Sequence, residues 1–318
     1  ALAWYHVGRL DDAERLLRKL RDEVIPGKAL YVQVGWLLGT ILQQHGSPEV
    51  ALSLFDEVIA KGVPGPSRTA CVLKRAECLA ELEQYEASLK VFDEVVRLAA
   101  ESPLDTQIDL KDVRNSATAW YQVLVPGGRP EEAMAYLKLA AKLAPPADAN
   151  AQAMYSRRIA DLGMQLGKAV LERAAAAPQA DRVAQGQAAR KYLNESAEHY
   201  LRLTKLAVLD APAMMEATWK AADAYDRAGE RSKTIEVLET FVDEHGESTQ
   251  VPEALLQLGR AYQAAGNLPK AIERYQENLI RFPRTPAALN SLIPLSDCFH
   301  EMGAADKAEQ TLLRIVTP

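Results

Sequence analysis

Few residues in this chain stand at spacings that suggest chemistry. The stretch GMQLGKA (163–169) has the glycines and lysine of a phosphate-cradling loop. It is one residue short, carries Ala169 where a hydroxyl would reach magnesium, and follows no strand pattern. Cys71 and Cys78 lie two turns apart on one predicted helix, a spacing compatible with a metal pair. The histidines (His6, His45, His199, His245 and His300) are scattered, each without a second histidine or cysteine at ligand spacing. The triplet NES (194–196) matches a glycosylation acceptor but falls in the middle of a helical pattern. The GxSxG and HExxH patterns and a dinucleotide-binding glycine pattern are absent from the sequence, and its carboxylates are spread out instead of paired about a reaction centre. The expectation is a non-enzyme with no cofactor and no metal.

Composition supports closely packed helices. Hydrophobic residues make up 48% of the 318 positions and aromatics only 6%, so the core must be built mainly from aliphatics and alanine. A net charge of −6 argues against a nucleic-acid partner, which needs a basic face. Three scattered cysteines cannot form a disulfide framework. The longest aliphatic-rich run, GWLLGTIL (35–42), is far shorter than the ~20 residues of a membrane span.

The elements that would position any site are legible in small residues. A small residue recurs at 13, 51, 88, 133, 197, 234, 271 and 308, and four of the seven intervals are 37. The clearest unit is LGRAYQAAGNLPKAIERY (258–275). Leu258, Gly259 and Tyr262 form one helical stripe, Gly266 ends that helix, and Ala271 and Tyr275 begin another. Glycine or alanine at 39, 76, 222 and 259 lets a paired helix approach closely. Glycine at 8, 46, 128, 229, 266 and 303 can take positive φ and stop the first helix. Pro48, Pro130 and Pro269 fall where a second helix begins and a missing N–H costs nothing. In this register Cys78 and Cys298 occupy the slot of Ala224 and Ala261, which makes them small core residues.

This pattern resembles the tetratricopeptide repeat, a helix–turn–helix unit. The resemblance implies an all-α, right-handed superhelical solenoid of about eight stacked hairpins. Residues 1–146 would hold four repeats, the first truncated, and 211–318 repeats six to eight of one continuous array. Residues 147–210 depart from the pattern: a long helix over 149–177, a break at PQADRVAQGQ (178–187) and a second helix to about 207 predict an enlarged hairpin. Pro294 should kink the first helix of the last repeat or delay its start. The links between repeats are similar to those of bacterial cell-envelope members of the family, which favours the envelope over the cytoplasm. The chain opens part-way through a repeat, so a longer parent protein is expected.

The resemblance also implies a concave groove lined by the first helix of each hairpin. The positions assigned to it are Trp36, Leu73, Glu77, Glu216, Trp219, Asp223, Asp226, Glu253, Leu256, Arg260, Ile293 and Asp297. An apolar or aromatic residue in the fifth position of most units (Trp36, Leu73, Trp219, Leu256, Ile293) either anchors a partner or tucks against the next repeat. Among the C-terminal positions, carboxylates face Arg260 alone, which favours a basic or neutral protein or peptide segment. The lysine, asparagine and arginine clamp with which some family members hold chaperone tails is missing. The expected function is a non-catalytic protein–protein interaction scaffold. The alternative is an architectural or regulatory segment of a longer protein whose activity lies elsewhere.

Overall fold

The computed structural model describes residues 1–101, 108–206 and 210–316; among them every regular element is a helix. Packing divides the chain into two units, Ala1–Asp148 and Ala149–Pro318. Each is an all-α stack of antiparallel hairpins, as a solenoid requires.

The first unit runs α1 (Leu2–His6), α2 (Leu10–Glu23), α3 (Ala29–Gln44), α4 (Pro48–Lys61), α5 (Pro66–Glu81), α6 (Tyr85–Glu101), α7 (Leu110–Leu124) and α8 (Pro130–Lys142). Pro48 and Pro130 open α4 and α8. Gly8, Gly46 and Gly128 turn the hairpins at φ of 77°, 73° and 74°. The third hairpin holds Glu83 in that slot and forces it to a φ of 57°. Asp109 caps α7 reciprocally with Asp112, through bonds of 2.8 and 3.0 Å. Within the stack, buried Ser88 donates to the Ala76 carbonyl (2.7 Å) and accepts from Tyr136 (2.8 Å), which ties α5, α6 and α8 together.

The second unit runs α9 (Ala149–Ala176), α10 (Gln179–Thr204), α11 (Ala211–Ala228), α12 (Arg231–Glu244), α13 (Val251–Ala264), α14 (Leu268–Arg281), α15 (Pro286–Asn290), α16 (Leu292–Glu301) and α17 (Ala305–Val316). The phosphate-loop look-alike is the middle of α9. Gly163 and Gly167 let α10 approach: a Cβ on Gly167 would fall 2.5 Å from Leu193, and one on Gly163 3.1 Å from the Tyr192 carbonyl. The expected break over 178–187 is corrected. Only Ala177 and Pro178 interrupt the helix, and α10 begins at Gln179 with Asp181 in its first turn. Glutamine, alanine and arginine in this stretch are adequate helix formers, and the packing of Ala189, Leu193 and Ala197 holds the rest of α10.

Pro294 has the expected effect. The first helix of the last hairpin is divided at Ser291, because a proline supplies no N–H to the Asn290 carbonyl and its ring crowds that oxygen. Asn278 fills a core slot held by Phe241 one period earlier. Its Nδ2 donates to the Pro252 carbonyl (2.8 Å) and to Ser291 Oγ at the break (3.1 Å).

Candidate partner-binding groove

Three of the assigned groove residues converge in the second unit. Trp219, Asp223 and Asp226 project from one side of α11 at helical spacing, and they line a cleft of about 260 Å³ with Ala222 and Arg227. Thr234 and Leu238 from α12 form its floor, and Gln257 from α13 closes it. Trp219 is half-buried, its ring centroid 6.1 Å from that of Phe241, so one part is anchored in the core and another faces the cleft. Gln257 Nε2 donates to Glu253 (2.9 Å), which fixes the amide at the cleft's edge. Beyond the cleft, Arg260 on α13 and Asp297 on α16 are exposed.

The charge pattern differs from the sequence expectation. Glu216 is paired with Lys220 (2.8 Å), and this lysine holds its carboxyl below the usual range. Asp223 is paired with Arg227 (2.8 Å) and lies 4.0 Å from Lys168 of α9. Arg260 is therefore not the sole counter-charge. The signal that reveals the others is their i,i+4 spacing from the acids, which places Lys220 and Arg227 on the same helix face. Asp226 and Asp297 remain exposed, with no ion pair among the described residues. Arg227 and Gln257 belong to the cleft and were not among the assigned positions.

Two assigned positions are corrected outright. Leu73 and Leu256 are 4% and 2% exposed, so they are core side chains rather than groove anchors. Ile293, in the same slot of the last hairpin, is 59% exposed. The fifth position is thus buried in the third and seventh hairpins, half-buried at Trp36 and Trp219, and exposed in the last. In the first unit Trp36 is half-buried and lines a separate cleft of about 330 Å³ with Leu17, Leu20, Gln33 and Ser67. Glu77 is a brace: it accepts from Lys74 (2.6 Å) on its own helix and from Ser116 (2.7 Å) on α7.

Cys71, Cys78 and Cys298 are buried, and burial pushes the Cys71 and Cys78 thiols up to about 12 and Cys298 to about 11. Among the described residues no cluster of three or more histidine, cysteine or carboxylate side chains is placed to hold a metal. Among them, too, no helix is long and apolar enough to cross a membrane.

The tetratricopeptide repeat family model matches residues 37–103 and 256–318. These two segments match the tetratricopeptide repeat. Comparison with curated protein sequences gives no match. Among solved structures the chain is similar to the nearly identical TPR-like repeats of a putative kinesin light chain from Podospora anserina, at 18% identity and a TM-score of 0.39, covering 63% of this chain and 92% of that one. It is similar to MamA from Desulfovibrio magneticus RS-1 at 18% identity and a TM-score of 0.38, covering 64% and 93%. A tetratricopeptide repeat protein from Parabacteroides merdae matches at 14% identity and a TM-score of 0.35, covering 92% and 95%.

Proposed function

We propose that this tetratricopeptide repeat chain is a non-catalytic scaffold that binds a segment of a partner protein along the first-helix face of its second unit. The cleft beneath Trp219 carries the reading: a half-buried indole beside carboxylates and a fixed amide, over a floor of Thr234 and Leu238, is a ready anchor site. Carboxylates outnumber cations along α11 and α13, so a neutral or basic segment suits the face better than an acidic one. The rigid hairpins need little ordering on association, which preserves binding energy for the contacts themselves. A bacterial envelope location fits the links between repeats and belongs to the same proposal.

The test is selection from a displayed random-peptide library against the full chain. Wild type should enrich a family of neutral or basic sequences. Trp219→Ala combined with Asp226→Lys should abolish the enrichment while helix content stays constant; neither change touches an ion pair that holds the fold. Enrichment that survives the double substitution, or none with wild type, would refute the reading.

A further inference from the structure

We infer, building on the scaffold reading above, that the Trp219 cleft is an arginine pocket: the partner segment enters it with one arginine side chain, whose guanidinium the cleft selects. The cleft lies inside the stack, with α10 packed on α11 and α13 on α12, so it is not an uncovered end of the array. At about 260 Å³ it falls below the ~300–1,000 Å³ of small-molecule sites, and one side chain is what it accepts.

The hydrogen-bonding groups of the lining decide which side chain. Its donors are engaged: Gln257 Nε2 donates to Glu253 (2.9 Å), Arg227 Nε to Asp223 (2.8 Å) and the Thr234 hydroxyl to the Glu230 carbonyl (3.2 Å). Its acceptors are open. Asp226 is exposed with no ion pair among the described residues, and the bond to Glu253 leaves Gln257 Oε1 free. Beside them stands the indole of Trp219, whose face attracts cations. A carboxylate entering here would be set against Asp226, and a neutral amide would leave that charge uncompensated. Asp223 is held by Arg227 and lies 4.0 Å from Lys168, and its charge offsets the Arg227 cation that would otherwise repel a basic guest. Geometry then separates arginine from lysine. Asp226 is on α11 and Gln257 on α13, so the two acceptors stand on different helices. A planar guanidinium carries five N–H donors and can stack on an indole while its edges bond outward. A lysine ammonium is a compact point charge without that fork.

The probe is N-acetyl-arginine methylamide, titrated into the isotope-labelled full chain while nuclear magnetic resonance follows the indole N–H of Trp219, assigned through Trp219→Phe. A saturable shift is expected. The lysine analogue should bind about fivefold more weakly or worse, and the citrulline analogue, which keeps the shape and loses the charge, should leave the resonance in place. Asp226→Asn should weaken the arginine probe about fivefold or more, whereas Asp297→Asn, at an exposed acid outside the cleft, should not. Both changes are isosteric at exposed carboxylates, so the fold is retained. No saturable shift, an equal response to arginine and lysine, or binding that Asp226→Asn leaves intact overturns the inference. The peptide selection keeps its failure apart from that of the scaffold reading. Enriched sequences that need Trp219 but share no fixed arginine sink the arginine pocket and leave the scaffold standing. Arginine binding at Trp219 with no enriched peptide does the reverse.

Discussion

Replacing Gly259 by alanine sets two well-defined effects against each other. Alanine is the better helix former by about 1 kcal/mol. The added Cβ, however, would lie 2.3, 2.6 and 2.8 Å from three ring atoms of Tyr275, closer than real Cβ contacts come. That ring is fully buried, and its hydroxyl donates to Gln263 (3.1 Å), so it cannot swing aside cheaply. Overpacking of this kind costs about 1–3 kcal/mol. With three atoms in collision the upper half of that range applies, and the net loss should be about 1–2 kcal/mol after the propensity gain. Tyr275→Leu alone should also destabilise, by leaving a void and an unpartnered amide. The double variant recreates the combination at Ala222 and Leu238, which keep the same 16-residue interval in the preceding repeat. It should therefore be more stable than the sum of the two losses by about 1–2 kcal/mol, within the range of coupling between touching residues. The third repeat holds Ala76 with Phe92, so alanine and an aromatic coexist where the whole hairpin is spaced for them. Urea unfolding followed by far-ultraviolet circular dichroism measures all four proteins. The slope must be compared between variants, because repeats can unfold in parts. A neutral or stabilising Gly259→Ala, or strict additivity, would refute the close-approach account of this glycine.

Glu83→Gly should stabilise the chain. Glu83 bears the left-handed backbone that glycine bears in the sister repeats, a strain of about 1–2 kcal/mol. The change forfeits only an exposed bond to Arg129 (2.9 Å), worth about 0.2–1 kcal/mol; a higher urea midpoint is the readout. The cysteines should resist a thiol-disulfide exchange reagent in the native state at mildly alkaline pH and react promptly once unfolded, since all three are buried with raised thiols. The same shifts fix a pH trend. The thiol contribution is fully present below the unfolded thiol range of about 8.5 and is lost as pH rises toward the folded values, so urea midpoints should fall across that window.

The hairpin register was legible because backbone geometry writes it directly into residue type. Gly46, Gly229, Gly266 and Gly303 mark turns at positive φ, and Gly39 lies 2.5 Å, by its missing Cβ, from the Phe55 ring. Single-residue exposure was less legible. Leu73 and Leu256 sit at the border between the groove and the stacking face, and which side they join depends on how the next hairpin is rotated. That rotation is a tertiary quantity with no one-residue signature. The counter-charges Lys220 and Arg227 were readable from i,i+4 spacing, but only when acids and bases are considered together. The early start of α10 was masked by Pro178 and Gly186. Proline at a helix N-terminus and one glycine inside a helix are both tolerated when the opposite face finds a partner helix.

The contrast between spent and available carboxylates is what recommends the second unit for the proposed binding face. In the first unit, Glu77 links α5 to α7 through Ser116, and Glu81 accepts from Gln43 of α3 (2.7 Å) with burial raising its carboxyl above the usual range. These groups hold one hairpin to the next, and a ligand that recruited them would have to replace an interaction the stack already uses. In the second unit the link to the neighbouring first helix is largely apolar, through residues such as Ala221, Tyr225, Leu255 and Leu258. Asp226 and Asp297 are left exposed, and Trp219 stands half out of the core in the cleft that Asp226 lines. Polar groups that a fold does not need for its own cohesion are the ones it can offer to a partner.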